Sequence, residues 1–116
     1  MIEPFYSNNQ QESLVDTGLA CSFKSGQSIT IPKPIREELS ILFGDEVIVS
    51  VKANQNELII QKNSGETVDN KMIVSEKGSI RIPKELKRFL HIKPGDTFKI
   101  FLLSNQAIVL RKAKLP

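Results

Sequence analysis

The sequence has no tryptophan, seven aromatic residues among 116, one cysteine (Cys21) and one histidine. A single cysteine cannot form an internal disulfide, which excludes a small secreted scaffold stapled by disulfides. No run of about 18 apolar residues is present, so no membrane-spanning helix is predicted. The first residues, MIEPFYSNNQQES, have neither a basic start nor an apolar stretch, and no secretory signal is predicted. We expect a cytoplasmic protein without a membrane partner.

The same scarcity leaves few candidates for catalysis. No metal-ligand cluster, Ser/His/Asp set or phosphate-cradling loop is visible. His91 is expected to cap or pack at a helix end. Cys21 precedes Phe23 in a predicted strand and is expected to be a small buried or edge residue. Asp45 and Asp96 recur at matching positions and are interpreted as turn formers. We predict no enzyme, no cofactor and no metal; a turnover abolished by mutating the histidine would contradict this.

The net charge of +3 conceals an uneven distribution of charge along the chain. It is −3 over residues 1–22, 0 over 23–63, −2 over 64–70 and +8 over 71–116. A sharp asymmetry of this kind suggests a polyanionic partner, most often nucleic acid. A solubilising basic surface is the alternative that composition leaves open.

Two stretches of the chain, GQSITIPKPIREELSILFGD and KGSIRIPKELKRFLHIKPGD, follow the same pattern. Aligned on Pro32 and Pro83, they need no gap as far as Asp45 and Asp96, and six of fourteen positions are identical. Before the prolines, GQSITIP faces GSIRIP, so the alignment predicts one extra residue ahead of Ile29 in the first copy. The pattern indicates an internal duplication.

Polar segments predict the boundaries of the duplicated units. Residues 1–18 are predicted to be a flexible N-terminal tail, and 63–70, NSGETVDN, a linker. They flank a first repeat, 19–62, and a second repeat, 71–116. Each repeat has about 45 residues, close to the lower limit for an independent core. We therefore expect the strands of one repeat to pair with those of the other around a single core.

Each repeat predicts a short strand, a short helix after the proline, a turn and a hairpin. Leu86 and Leu90 lie four apart, on one apolar stripe of the second helix. His91 and Ser40 stand where glycine usually ends a helix. The hairpins are predicted from TFKIFLL with AIVLRK, and from EVIVSVK with ELIIQK.

The second repeat, KGSIRIPKELKRFLHIKPGDTFKI followed by AIVLRK, resembles the AbrB/MazE/SpoVT family of bacterial and archaeal DNA-binding domains. The first repeat matches more loosely, with Leu42 and Phe43 in place of Lys-Pro. The resemblance implies a mainly β fold with short helices: a pseudo-two-fold swapped-hairpin (double-split) β-barrel built from two βαββ-like repeats in one chain. It also implies transcription regulation or antitoxin activity on double-stranded DNA, in the cytoplasm, with nucleoid association when bound.

The second repeat concentrates cations around its helix. Arg81 points out from the strand before the helix, and Lys77 lies in the preceding turn. Lys84, Lys87 and Arg88 follow at i, i+3 and i+4 on the helix. Like charges at these spacings repel unless a polyanion neutralises them, and DNA phosphates are the natural partner. A solvated helix face is the alternative, and whether Arg81 bonds a guanine edge or a phosphate stays open.

The first repeat is weaker at the equivalent positions. Thr30 stands where the second repeat has Arg81, and Glu37 stands where it has Arg88. Because a carboxylate repels phosphate, we predict that the second repeat contacts DNA and the first completes the fold. The predicted secondary contacts of the first repeat are Lys24, Lys33 and Arg36. A symmetric operator would then need a homodimer or higher oligomer, each chain offering its basic half.

Two other functions remain open at this point. An antitoxin would bind its own operator and neutralise a toxin protein through a flexible tail. In MazE-like proteins that segment follows the barrel, whereas this chain ends at AKLP, so the acidic N-terminal tail would serve instead. A structural or RNA-binding module is disfavoured because no aromatic stacking platform is visible, with Phe89 and Phe98 predicted in the core.

Overall fold

Eight strands and two short helices make up the computed structural model, which describes residues 14–52, 56–63, 65, 70–104 and 106–113. In chain order they are β1 (Leu14–Ser22), β2 (Ser28–Thr30), α1 (Lys33–Glu38), β3 (Glu46–Lys52), β4 (Glu57–Lys62), β5 (Lys71–Ile73), β6 (Ser79–Arg81), α2 (Lys84–Phe89), β7 (Thr97–Leu103) and β8 (Ala107–Lys112). The fold is mainly β, and both predicted hairpins, β3–β4 and β7–β8, are present with the predicted bounds.

The strands pair between the two repeats, as predicted. Six form an antiparallel sheet in the order β1-β7-β8-β4-β3-β5, and β2 pairs with β6 in a separate two-stranded sheet. Ile59 of β4 faces Val109 of β8, and Ile29 of β2 faces Ile80 of β6. In the part of the chain that the structure describes, the sheet ends at β1 and β5 and is not closed, so the double-split barrel is not confirmed.

An ion pair reinforces the junction between the repeats. Glu57 of β4 is the buried charged residue of the described core, at 3% exposure. Its carboxylate accepts a hydrogen bond from Arg111, its cross-strand neighbour on β8. The same guanidinium lies 4.6 Å from the centre of the Phe101 ring. Burying a carboxylate without a partner costs free energy. The stability of the buried Glu57 in the first repeat therefore depends on Arg111 in the second.

The same backbone hydrogen bonds recur in both repeats, at a constant offset in sequence. Ile31 donates to the carbonyl of Gly78, and Ile82 donates to that of Gln27, both at 2.9 Å. Gln27 and Gly78 are therefore equivalent, with φ of 65° and 79°. The extra residue predicted in the first copy is wrong: the sequence alignment had matched Gly26 to the glycine, but Gln27 adopts the left-handed conformation itself.

Each repeat is also bonded to the Gly-Asp turn of the other. Val74 accepts from Gly44 at 2.9 Å and donates to the carbonyl of Asp45 at 3.0 Å. Phe23, the equivalent residue of the first repeat, makes the matching pair of bonds with the second Gly-Asp turn, at 2.9 and 2.8 Å. The two turns are thus held at equivalent corners of the molecule by equivalent backbone hydrogen bonds.

The aspartates hold these turns, as interpreted from the sequence. Asp96 accepts from the amide of Lys93 at 2.8 Å and lies 3.2 Å from the ammonium of Lys112. The amide hydrogen bond, with the nearby lysine, lowers the pKa of the Asp96 carboxyl. Lys112 also donates to the carbonyl of His91 at 2.8 Å, at the end of α2. Asp45 holds the first turn in the same way.

One core receives side chains from both repeats. Its largest fully buried members include Phe23, Phe98, Ile29, Ile31, Leu58, Ile60, Ile80, Ile82, Ile100, Ile108 and Leu110. Leu86 and Leu90 pack on this core along the predicted stripe. Phe89 is 55% exposed, so its predicted core position is wrong. Helix α2 covers little more than one and a half turns. Its core-facing side holds Leu86 and Leu90, and the Phe89 ring lies outside that side.

Strand β5 was not predicted, and β1 was predicted only around Cys21. Residues 14–18, placed in the tail by composition, belong to β1, which pairs with β7; residues 1–13 lie outside the described residues. The register of β1 shifts between Asp16 and Ala20, where Gly18 has φ of 76°. Cys21 is buried on this strand, and burial raises the pKa of its thiol to about 12. Linker residues 64 and 66–69 likewise lie outside the described part.

Candidate nucleic-acid interface

Helix α2 presents the predicted cations at one surface. The helix begins after Pro83, and Lys84 and Arg88 are exposed. Lys87 is half-buried, and its ammonium lies 5.9 Å from the centre of the Phe23 ring. This cation–π contact joins an aromatic ring of the first repeat to a cation of the second, and it restricts the lysine side chain.

These cations surround a surface pocket of about 380 Å³. Its lining is Lys84, Lys87, Arg88, His91, Ile92 and Lys93. Lys84, Lys87 and Arg88 are among the residues predicted to contact DNA. His91 and Lys93 were not, because in the sequence they mark a helix end and a turn. The signal for Lys93 was present in the +8 charge of residues 71–116, although not in any helical spacing. We name this the cationic pocket.

The first repeat has a pocket lined by residues at the equivalent positions. It measures about 500 Å³ and is lined by Lys33, Arg36, Glu37, Ser40, Ile41 and Leu42. Two cations and a carboxylate here replace the four cations of the cationic pocket. The backbone scaffold is therefore repeated while its electrostatic character is not, which is the asymmetry predicted from the sequence.

The turn that precedes β2 lies beside the helix of the second repeat, and the turn that precedes β6 lies beside the helix of the first. Gly78 accepts from Ile31, so the turn that carries Lys77 is bonded beside the start of α1. The turn that carries Lys24 is bonded beside Ile82 and the start of α2. Both lysines are exposed, but the predicted convergence of Lys77 with the cations of α2 is wrong, because the β2–β6 pairing places its turn on the other helix.

Arg81 does not line the cationic pocket. It is exposed at the end of β6, where its backbone faces Ser28 of β2. Ser79, on the same strand, makes a hydroxyl contact of 2.9 Å with Thr30 of β2. The side chain thus stands on a braced strand, with a solvent-facing guanidinium separate from the pocket.

Arg36 has a structural contact that the sequence did not reveal. Its Nε donates to the carbonyl of Ile31 at 2.9 Å, and the side chain is half-buried. It also lies against Gly78, where an added Cβ would come within 2.4 Å of Nε. The guanidinium therefore braces the turn of the second repeat, in addition to its predicted role as a secondary contact.

Changing Gly78 to alanine is expected to lower the free energy of unfolding by about 2–3 kcal/mol, as measured by urea titration. The left-handed φ alone costs about 1–2 kcal/mol for a side chain with Cβ, and the overlap with Arg36 adds to it. The matched control is Gln27→Gly at the equivalent position, which should be neutral or stabilising. A loss of no more than about 1 kcal/mol, which the left-handed φ alone explains, would contradict a contribution from the contact with Arg36.

Among the residues that the structure describes, no group of three or more His, Cys, Asp or Glu side chains is placed to hold a metal ion. Within the same residues, neither helix is long and apolar enough to cross a membrane.

The comparisons with known proteins give one family match, which lies in the second repeat. No curated protein matches the chain. The chain is similar to the solution structure of PHS018 from Pyrococcus horikoshii, with 25% identity, 84% of this chain and 92% of that chain covered, and a TM-score of 0.49. Residues 71–116 match the MazE antitoxin family, described as antidote-toxin recognition MazE, bacterial antitoxin. The segment that carries the cationic pocket is therefore similar to MazE antitoxins, which supports its relationship to the AbrB/MazE superfamily.

Proposed function

We propose that this protein is a sequence-specific DNA-binding transcription regulator of the AbrB type, contacting double-stranded DNA mainly through its second repeat. The observation that carries the proposal is the cationic pocket: four cations and a histidine surround it, without a carboxylate. It lies in the segment that matches the family. Its counterpart in the first repeat contains Glu37 and Leu42 and is far less suited to phosphate.

The chemistry of the pocket suits a phosphate backbone. Arginine and lysine side chains neutralise phosphates and release condensed counterions, which supplies most of the sequence-independent affinity. Lys87 is positioned by the Phe23 ring, so part of its ordering cost is met before DNA binds. Arg81, on the braced strand beside α2, would supply base readout or a further phosphate contact.

The proposal includes two tandem copies of one module in a swapped-hairpin arrangement, over residues 19–62 and 71–116 with 63–70 as linker. The repetition of backbone bonds at a constant offset supports it, as does the pairing of β2 with β6 and of β4 with β8. One chain then presents one strongly cationic helix. A two-fold symmetric operator would be read by two chains, each giving its cationic pocket to one half-site.

Selection of bound genomic fragments tests the proposal. Duplex DNA sharing a common site should be recovered, and duplex RNA should compete poorly. Recovery of fragments without any common sequence would contradict sequence-specific regulation, and equal competition by RNA would contradict DNA as the ligand.

Lys84→Ala should lower the slope of log affinity against log salt by about 0.9, the value expected for one lost phosphate contact. The matched control is Lys33→Ala, which removes the equivalent residue from the pocket of the first repeat. The control should change the slope less. Equal effects of the two substitutions would show that the repeats contact DNA equally.

The second candidate is an antitoxin that binds its own operator. The description of the matching family favours it, because that family is named for antidote-toxin recognition. Co-purification of a small toxin with the protein, and toxicity on depletion of the protein, would establish this role. Normal growth on depletion together with changed transcript levels would favour the regulator.

A further inference from the structure

We propose that the chain carries, at its first Gly-Asp turn and the adjoining end of β5, a self-association surface on which a second copy of this chain docks. The surface is the apolar corner, defined here by Leu42, Phe43 and Ile73. Leu42 and Phe43 belong to the first Gly-Asp turn, and Ile73 ends β5. The inference goes beyond DNA binding, which uses none of these three side chains.

The apolar corner exposes large side chains in a small region. Leu42 is 66% exposed, Phe43 69% and Ile73 57%. Val74 accepts a backbone hydrogen bond from Gly44 and donates one to Asp45. These bonds hold the turn against the end of β5, so all three residues meet at one corner. Clustered exposure of this kind marks an interaction site more often than an ordinary surface.

The other end of the molecule shows that the fold does not need these side chains. The equivalent corner in the other repeat has the same backbone hydrogen bonds through Phe23. Its three corresponding residues are Lys93, Pro94 and Ser22. The same backbone is thus built with a lysine, a proline and a serine at one end and with three large apolar residues at the other. Folding alone gives no reason for the difference.

A groove next to the apolar corner gives a second copy a place to bind. The first-repeat pocket of about 500 Å³ includes Leu42 in its wall, and Phe43 is the next residue. A projecting ring beside a groove is self-complementary: in a two-fold pair, Phe43 of each copy enters the groove of the other. The second repeat lacks this arrangement, because Pro94 takes the place of the ring.

Charge favours the same partner. Lys33, Arg36 and Glu37 line the groove. Lys62 donates to the carbonyl of Ser40, another lining residue, and forms an ion pair with Asp45 at 3.6 Å. A two-fold axis can therefore place a cation of one copy opposite a carboxylate of the other. Residues 23–63 have no net charge, whereas two second repeats, each at +8, would repel one another. Association through the corner leaves both cationic pockets free.

Sedimentation of the full chain without DNA tests the proposal over a range of protein concentrations. The wild type should form dimers. The variant Leu42→Lys/Phe43→Pro, which installs the residues of the second repeat, should raise the dimer dissociation constant at least about tenfold, as expected for loss of a buried anchor. Ile73→Thr should weaken the dimer in the same direction.

A matched control removes an exposed aromatic elsewhere. Phe89→Ala, on α2, should leave the dimer unchanged. Circular dichroism must show all variants folded, and Ile73→Thr keeps the test valid if the double variant unfolds. A monomeric wild type, or undiminished dimers in both corner variants, overturns the proposal, and the former points to a different protein as occupant. Because DNA is absent, the result does not depend on the proposed function.

Discussion

Replacing Arg81, Lys87 and Arg88 together by alanine is expected to weaken binding to duplex DNA on the order of 100-fold at about 0.15 M salt. Each phosphate contact contributes about 0.9 to the slope of log affinity against log salt concentration. Multiplying the slope lost with three contacts by the logarithm of the salt concentration gives a loss of about two log units of affinity at about 0.15 M. The loss should shrink as salt rises. Fluorescence anisotropy with a selected duplex, titrated at several salt concentrations, measures both affinity and slope.

The control for this triple variant removes the same number of charges elsewhere. Lys52, Lys71 and Lys99 are exposed and lie outside the cationic pocket. Their joint replacement by alanine lowers the net charge equally, yet it should cost much less affinity, because only the long-range attraction is reduced. If both triple variants lose affinity to the same extent, net charge rather than the specific positions of Arg81, Lys87 and Arg88 accounts for binding.

Local chemistry explains why much of the fold was predictable. The hairpins follow from alternating apolar residues between polar turns, a signal that needs no knowledge of the partner strand. Ser40 and His91 were placed at helix ends from their position before the turn, and both have φ of 55°. Interlocking of the repeats was predicted from their size, because about 45 residues is close to the lower limit for an independent core.

The wrong predictions concern features that depend on contacts between residues far apart in the sequence. Strand β5 has three residues and exists through its pairing with β3, for which its sequence alone holds no signal. The sequence alignment matched Gly26 to Gly78, although Gln27 is the residue that adopts the left-handed conformation. Phe89 was assigned to the core on apolarity, but burial depends on which face of α2 meets the sheet.

The candidate site was predictable in its charge and not in its grouping. The helical spacing of Lys84, Lys87 and Arg88 placed them correctly around one pocket. Lys77 was grouped with them through its closeness in sequence, whereas pairing between repeats moves its turn to the other helix. Arg36 was expected at the surface, and its bond to a backbone carbonyl could not be foreseen from a linear pattern.

The second large effect concerns the interlocked core. Ile60→Ala is expected to lower the free energy of unfolding by about 2–5 kcal/mol, since the side chain is fully buried and its removal leaves a cavity. Ile60 lies on β4 opposite Ile108 of β8, at the junction of the repeats. Urea unfolding followed by circular dichroism measures the change, and Ile59→Ala, on the half-buried opposite face of β4, should cost less.

The same variant distinguishes one cooperative body from two. If the repeats share a core, destabilising β4 raises the opening rate of amides in β7, from Phe98 to Leu102, although these belong to the other repeat. Hydrogen exchange should then show equal losses of protection in β4 and β7. Protection lost in β4 alone, with β7 unchanged, would mean that the repeats unfold separately. The pairing of β4 with β8 would then contribute little to stability, and the cationic pocket would need only the second repeat to keep its shape.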